Sequence, residues 1–312
     1  MCRKYPDIQS NQLLVRWSDL YLSQIIDPPT SMSPSSLETT PPATKHVILS
    51  FPTPHILLVT INRPNQRNSL PYAAHWELHV VWTWYDAEPS LRAAIITGAG
   101  SKAFCAGQDL IELGTLTEDD FKNRPWELRH PPGRFAGLSG RAGKKPVIAA
   151  VNGFAFGGGF EIVLNCDMVV ASPLASFSLP EALRGVYAAA GGLPRLVNIV
   201  GLPIATEIAL TGRILSAKEA LDYKIINKIS SSPETLIGET VTLARKIEDL
   251  SPDAVIVTRA GLREAWNEGS VENATRVVED LYNLKLSNSE NRVEGLAAFA
   301  EKRKPLWKPS KL

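Results

Sequence analysis

An α/β fold is what this sequence predicts, and three stretches carry the expectation. Pro146 to Val151 (PVIAAV) is a β-branched apolar run leading into Asn152 to Asp167 (NGFAFGGGFEIVLNCD), where three consecutive glycines precede a helix-like segment. Leu91 to Asp109 (LRAAIITGAGSKAFCAGQD) repeats the scheme, an apolar strand followed by a glycine turn. From Ser232 onward the pattern is helical: Pro233 to Leu250, Pro252 to Asn267, Val271 to Lys285 and Arg292 to Lys304. Their apolar faces are too extensive for a lone surface layer.

Before these, residues 1–44 read as a disordered or accessory leader, because Pro28-Pro29-Thr30-Ser31, Pro34-Ser35-Ser36 and Thr39-Thr40-Pro41-Pro42 match no packed unit. Trp17 to Ile26 is a candidate accessory helix and Met32 an alternative start. The folded part is expected from His46 to Ser50, with a strand over Ile56 to Ile61 and a turn at Asn62-Arg63-Pro64. Pro71 to Asp86 predicts a helix carrying Trp76, Trp82, Trp84 and Tyr85. His75 and His79 are four apart on it, but no third ligand follows, so packing is favoured over a metal site. Ala93 to Thr97 is a strand, and Thr115 to Gly143 reads as a variable loop with a short helix. Met168 to Ala171 is another strand. Helices are expected at Pro203 to Thr211 and at Ser216 to Tyr223, the latter with Ser216 and Glu219 in capping-box spacing, before a last strand at Ile225 to Ile229.

The whole chain sets limits on function. At 312 residues it can bury an ample core, and a net charge of +1 offers no global field for nucleic acid or an anionic membrane. Cys2, Cys105 and Cys166 are too scattered for a disulfide framework or a metal site and fit a reducing compartment. No run of about twenty apolar residues occurs, and the first residues lack a secretory signal's apolar core. Ser310-Lys311-Leu312 matches the tripeptide read by the peroxisomal import receptor, although Lys302, Arg303, Lys304 and Lys308 make a solvated basic tail the plainer alternative.

Two carboxylates and two turns carry the chemistry. A glycine turn opening a helix leaves first-turn N–H groups free, and these can hold a developing oxyanion. Glu161 follows in the first turn, where alone it could be a helix-start carboxylate. Pro180 fixes the chain just before Glu181, which aims that carboxylate, though a cap is again the plainer reading. Gly98 to Ala103 imitates a GxGxxA dinucleotide fingerprint. Ala106-Gly107 and Pro125 interrupt the helix that fingerprint requires.

The blocks AFCAGQDL, KPVIAAVNGFAFGGGFEIVLNCD, FSLPEALRGVYAAAGGLPRL, ALTGRILSAKEALDYKIINKI and AFAEKRKPLW, in that order, resemble the crotonase superfamily of enoyl-CoA hydratases and isomerases over about Lys45 to Trp307. The resemblance implies a spiral of ββα turns over 45–230, a helical trimerisation region over 231–306, a tail over 307–312, and a homotrimer or homohexamer. It implies reversible hydration of a 2-enoyl-CoA thioester, with CoA part of the substrate and no metal or other cofactor. Glu161 and Glu181 match the two catalytic glutamates, with Glu161 assigned mainly to the water and Glu181 mainly to the α-carbon proton. The backbone N–H groups of Gln108 and Gly158 match the oxyanion hole. Only the N–H is used there, so glutamine where alanine is common has no consequence on this reading. Asn68, Ser69, Leu70, Ala106, Asp109 and Leu110 match substrate-binding positions, and Ile111 stands where some relatives have a CoA-binding lysine. Lys302, with Phe299 and Lys304, matches a region that meets CoA adenine or phosphate, or else is a solvated face. Trp126 and Phe135 either line the acyl pocket or pack in the core. Within the superfamily the chain is most similar to fungal peroxisomal members of secondary metabolism, which include hydratases that make anhydromevalonyl-CoA for siderophores and enzymes of host-selective toxin pathways. A Δ3-Δ2-enoyl-CoA isomerase or a general β-oxidation hydratase is the alternative.

Overall fold

The computed structural model describes residues 37–312. The expected leader helix at Trp17 to Ile26 and the alternative start at Met32 lie outside the described residues.

Among the described residues, ten strands form two sheets. In chain order they are β1 (Val47–Thr53), β2 (Ile56–Ile61), β3 (Ala93–Gly98), β4 (Ala103–Cys105), β5 (Val147–Val151), β6 (Phe154–Phe156), β7 (Met168–Ala171), β8 (Ser176–Ser178), β9 (Leu215–Ser216) and β10 (Lys228–Ile229). The larger sheet has the order β1-β2-β3-β5-β7-β10, and the smaller has β4-β6-β8-β9. Only the β1–β2 and β8–β9 pairs are antiparallel. The pairs β3/β4, β5/β6 and β7/β8 each place one strand in each sheet before the chain turns into helices. This repeated step is the spiral that the resemblance implied.

The eleven helices of the described residues are α1 (Tyr72–Ala87), α2 (Leu110–Thr115), α3 (Glu118–Asn123), α4 (Gly158–Asn165), α5 (Gly192–Val200), α6 (Leu202–Thr211), α7 (Ala217–Asp222), α8 (Leu236–Glu248), α9 (Pro252–Asn267), α10 (Val271–Ser287) and α11 (Glu290–Ala300). Strands β3 and β5 are buried on both faces because each alternate set of side chains meets a different layer. Ala93, Ile95, Ile148 and Ala150 pack with Leu236 and Ala244 of α8, whereas Ala94, Ile96, Val147, Ala149 and Val151 point into the main core. Helix α1 buries Ala74, His75, Leu78, Val81, Trp82 and Tyr85 at helical spacing. Its polar aromatic tips are satisfied: Trp82 donates to the Ala136 carbonyl and Tyr85 to that of Pro146.

The strands of the larger sheet follow the apolar runs closely, and Ser216 and Glu219 form the expected capping box. The smaller sheet was not foreseen. Its strands are two or three residues long, too short for a period-2 pattern to register. The expected last strand shrinks to Lys228–Ile229, and the short helix expected in the loop from Thr115 is α3.

Two surface features lie toward the C-terminal end. A groove of about 610 Å³ runs between α4, β7 and the α8–α9 turn, lined by Val163, Met168, Ile225, Leu250, Leu262 and Trp266 among others. Arg259 and Arg263 of α9 both bind Asp167 beside it. The final residues lie against α9 and α11: the Ser310 hydroxyl donates to Asp253, and Lys311 pairs with Glu290.

Candidate active site

The site is built where the two glycine turns touch. After β4, Gly107 takes φ +92°, a conformation costly for any side chain. A Cβ there would lie 3.3 Å from the Gly158 nitrogen and 3.1 Å from the Phe156 carbonyl, so only glycine lets the two loops meet so closely. Leu70 clamps the first loop by donating to the Gly107 carbonyl and accepting from Asp109 N–H. The residue between, Gln108, keeps its own N–H free. The second loop enters α4 through Gly157 at φ +57°, which turns the Gly158 N–H away from the helix. Among the described residues neither N–H has a hydrogen-bond partner. Two free donors on adjoining turns are what a thioester oxyanion requires, each contributing about 3 kcal/mol to its stabilisation.

Each glutamate is delivered by a different element. Glu161 stands on the first turn of α4, whose residues are all buried, and is 3% exposed. Its Oε1 accepts the Gly192 N–H at 2.8 Å. Burial raises its pKa, while the N–H groups of Gly192 and Ala190 and the charges of Arg195 and Arg134 oppose the rise. Glu181 begins the 3-10 turn Glu181–Arg184 directly after Pro180. Burial pushes its carboxyl up to about 7, with the charge of Glu161 adding to the rise. Its Oε2 is buried without a hydrogen-bond partner among the described residues. A Cβ on Gly157 would sit 3.4 Å from Glu181 Oε1, so this carboxylate lies against the second loop.

The side chain of Gln108 proves to be part of the site's wall. His75 Nε2 meets Gln108 Oε1 at 2.9 Å, and His130 Nε2 lies 3.4 Å from the same oxygen. Phe135 closes the group: its ring centroid is 4.4 Å from that of His75, and its ring lies against Gly158, where an added Cβ would come within 2.6 Å of it. Burial, then the neighbouring His130, lowers the His75 pKa to about 3, so the ring is neutral at ordinary pH. Sequence reasoning had used only the backbone of Gln108. Nothing in the spacing of His75, Gln108 and His130 signals that they converge.

The other expected binding residues fall into two groups. Asn68 is fully buried, and its amide bonds the carbonyls of Ala99 and Ala103 and accepts the Arg63 N–H. Asp109 caps α2 and pairs with Arg63, while the Ala106 N–H donates to Arg67 and the Ser69 carbonyl accepts from Arg63. These residues, with buried Leu70, shape the loop rather than project from it. Leu110 and Ile111 are exposed, as is Lys302, where the chain leaves α11. Of the two aromatic candidates, Phe135 is at the site, whereas Trp126 is 66% exposed with Arg129 stacked on it. His79 contacts Trp76 and takes no part in the His75 cluster.

Residues 53–310 match the profile of the enoyl-CoA hydratase/isomerase family. The chain is 47% identical over 271 residues to the mevalonyl-coenzyme A hydratase of Aspergillus fumigatus, covering 87% of this chain and 98% of that protein. To the carnitinyl-CoA dehydratase of Escherichia coli K12 it is 40% identical over 262 residues, 81% of this chain and 95% of the other. The crystal structure of an enoyl-CoA hydratase from Bacillus anthracis superposes with a TM-score of 0.77 at 32% identity, covering 85% of this chain and 100% of that one.

Proposed function

The chain belongs to the enoyl-CoA hydratase/isomerase family, and from that premise we propose that it hydrates and dehydrates a branched, hydroxylated 2-enoyl-CoA of the mevalonyl type through Glu161 and Glu181. The observation that carries the mechanism is the unlike pair of carboxyls, one buried and one half-buried, beside two free N–H groups. The thioester oxygen is held by the N–H groups of Gln108 and Gly158, which draws electron density from the double bond and makes the β-carbon electrophilic. Glu161, whose Oε1 is held by the Gly192 N–H, takes the proton from water as it attacks that carbon. Glu181, protonated up to about neutral pH, supplies the proton to the α-carbon. Dehydration runs the same path backward, so the pair carries one proton in both directions.

The mevalonyl acyl group rests on the two fungal relatives, of Aspergillus fumigatus and Beauveria bassiana, at 47% and 46% identity. A role in siderophore formation follows the same resemblance, and the CoA is a handle on the substrate, with no separate cofactor in the reaction. Peroxisomal residence rests on Ser310-Lys311-Leu312. Assembly as a trimer, or a pair of trimers, fits the apolar groove of α8 and α9 and the exposed Leu262, Leu281, Leu284, Leu296 and Phe299. The basic residues around Lys302 would then serve CoA phosphate.

The test is the loss of conjugated-thioester absorbance with crotonyl-CoA and 5-hydroxy-3-methylpent-2-enoyl-CoA, the anhydromevalonyl ester. Glu161→Gln and Glu181→Gln are each expected to lower hydration by about 10²- to 10⁴-fold. Conversion of a 3-enoyl-CoA that survives Glu161→Gln, with no hydration of either ester by the unmodified protein, would move the assignment to an isomerase.

A further inference from the structure

We propose that the side-chain amide of Gln108 is a specificity-determining donor, which binds an oxygen on the acyl chain and selects 2-enoyl thioesters bearing a hydroxyl two carbons beyond the double bond. The inference deepens the proposed hydratase reading and rests on it.

The orientation of the amide follows from the hydrogen bonds around His75. The backbone N–H of Ala136 donates to His75 Nδ1 at 3.0 Å. A backbone N–H cannot accept, so Nδ1 carries the lone pair and, in a neutral imidazole, Nε2 carries the proton. That proton goes to Gln108 Oε1, and His130 reaches the same oxygen. The carbonyl end of the amide is therefore held by donors, and the NH₂ end is turned the other way. Gln108 Nε2 is buried and has no hydrogen-bond partner among the described residues. Buried amide donors are nearly always paired, so an unpaired one in a binding site marks a place prepared for an acceptor.

Its position suits that role. The amide is attached to the residue whose backbone N–H faces the thioester oxygen, and Phe135 links its cluster to Gly158, the second oxyanion donor. From the Gln108 backbone to Nε2 is a span of about 5 Å, close to that between the thioester carbon and a hydroxyl on the fifth acyl carbon. One residue thus presents donors to both ends of a short acyl group. His75 holds the far end of the amide and Phe135 packs on His75, so the amide cannot turn to find another partner, and a substrate without the oxygen would leave it unsatisfied. His75 acts through Gln108 as a positioning residue.

The experiment compares two esters that differ only in that oxygen, 5-hydroxy-3-methylpent-2-enoyl-CoA and 3-methylpent-2-enoyl-CoA. The unmodified protein is expected to favour the hydroxylated ester in kcat/KM by about 10- to 100-fold. Gln108→Met, close in shape but without donors, and Gln108→Ala should both reduce that ratio to within about threefold of unity, whatever happens to the absolute rates. Calorimetric binding of the saturated counterparts of the two esters provides the same ratio without turnover. An unmodified protein that hydrates both esters without preference, or variants that keep its preference, would overturn the proposal. Failure to hydrate any ester would instead count against the hydratase reading itself.

Discussion

Glu161 and Glu181 are the same side chain placed in two different surroundings, and the contrast explains how one pair can supply both a base and an acid. Glu161 rides on a helix whose every residue is buried, and a backbone N–H from the start of α5 pins one of its oxygens. Glu181 rides on a single 3-10 turn with one buried oxygen unpaired. Depth of burial alone would make the deeper Glu161 the harder to ionise. The Gly192 and Ala190 N–H groups, with Arg195 and Arg134, oppose that cost without cancelling it, whereas at Glu181 burial is resisted by the residue's own backbone N–H alone and reinforced by the neighbouring negative charge. In the proposed mechanism, the hydrogen bonds to Glu161 favour it as the carboxyl that takes the proton and leave Glu181 to give it.

The most direct way to break the comparison is Gly192→Ala. A Cβ at Gly192 would come within 2.7 Å of Glu161 Cγ and 3.1 Å of its Oε1, which displaces the carboxylate from its N–H. Hydration is expected to fall about 10- to 100-fold in kcat, with a smaller change in KM, in steady-state assays. A variant with unchanged kcat would mean that the N–H does not hold Glu161 in its working position.

The pH dependence sharpens the comparison. Because the working pair carries one proton, kcat/KM in both directions should fall as pH rises past about 7, by up to tenfold per unit. Carboxyl difference infrared spectra should assign that proton. The band titrating near neutrality should persist in Glu161→Gln, shifted downward because a neighbouring charge is gone, and disappear in Glu181→Gln. A band that disappears in the first variant instead would reverse the roles.

The smallest expected effect is on stability. Glu181 has a folded pKa above its ordinary value, so the folded state favours its protonated form. Its contribution is complete below the unfolded pKa and is lost as pH rises through about 7. Glu181→Gln, neutral at every pH, should therefore melt about 1–3 °C above the unmodified protein at pH 8 and lose that advantage below pH 5. Calorimetry at the two pH values checks the sign.

The parts of this site that were legible in the sequence are those encoded locally. Three glycines after a β-branched run mark a strand-to-helix turn, because only that backbone geometry needs them, and Glu161 is placed by its distance from the turn. Pro180 likewise marks the rigid turn that bears Glu181. The smaller sheet was hidden because strands of two or three residues have no period, and Asn68 and Leu70 emerge as loop-shaping residues because their hydrogen bonds run to segments distant in the chain.

By itself, then, the sequence determined the turns, the buried strands and the residue types that can perform the chemistry, all of which follow from backbone preferences and the alternation of apolar side chains. Only the tertiary structure decided that Glu181 is the carboxyl held near neutral, that Gly192 steadies its partner, and that His75 and His130 converge on Gln108. Those outcomes depend on burial and on hydrogen bonds between segments tens of residues apart, and such interactions exist only once the layers have packed.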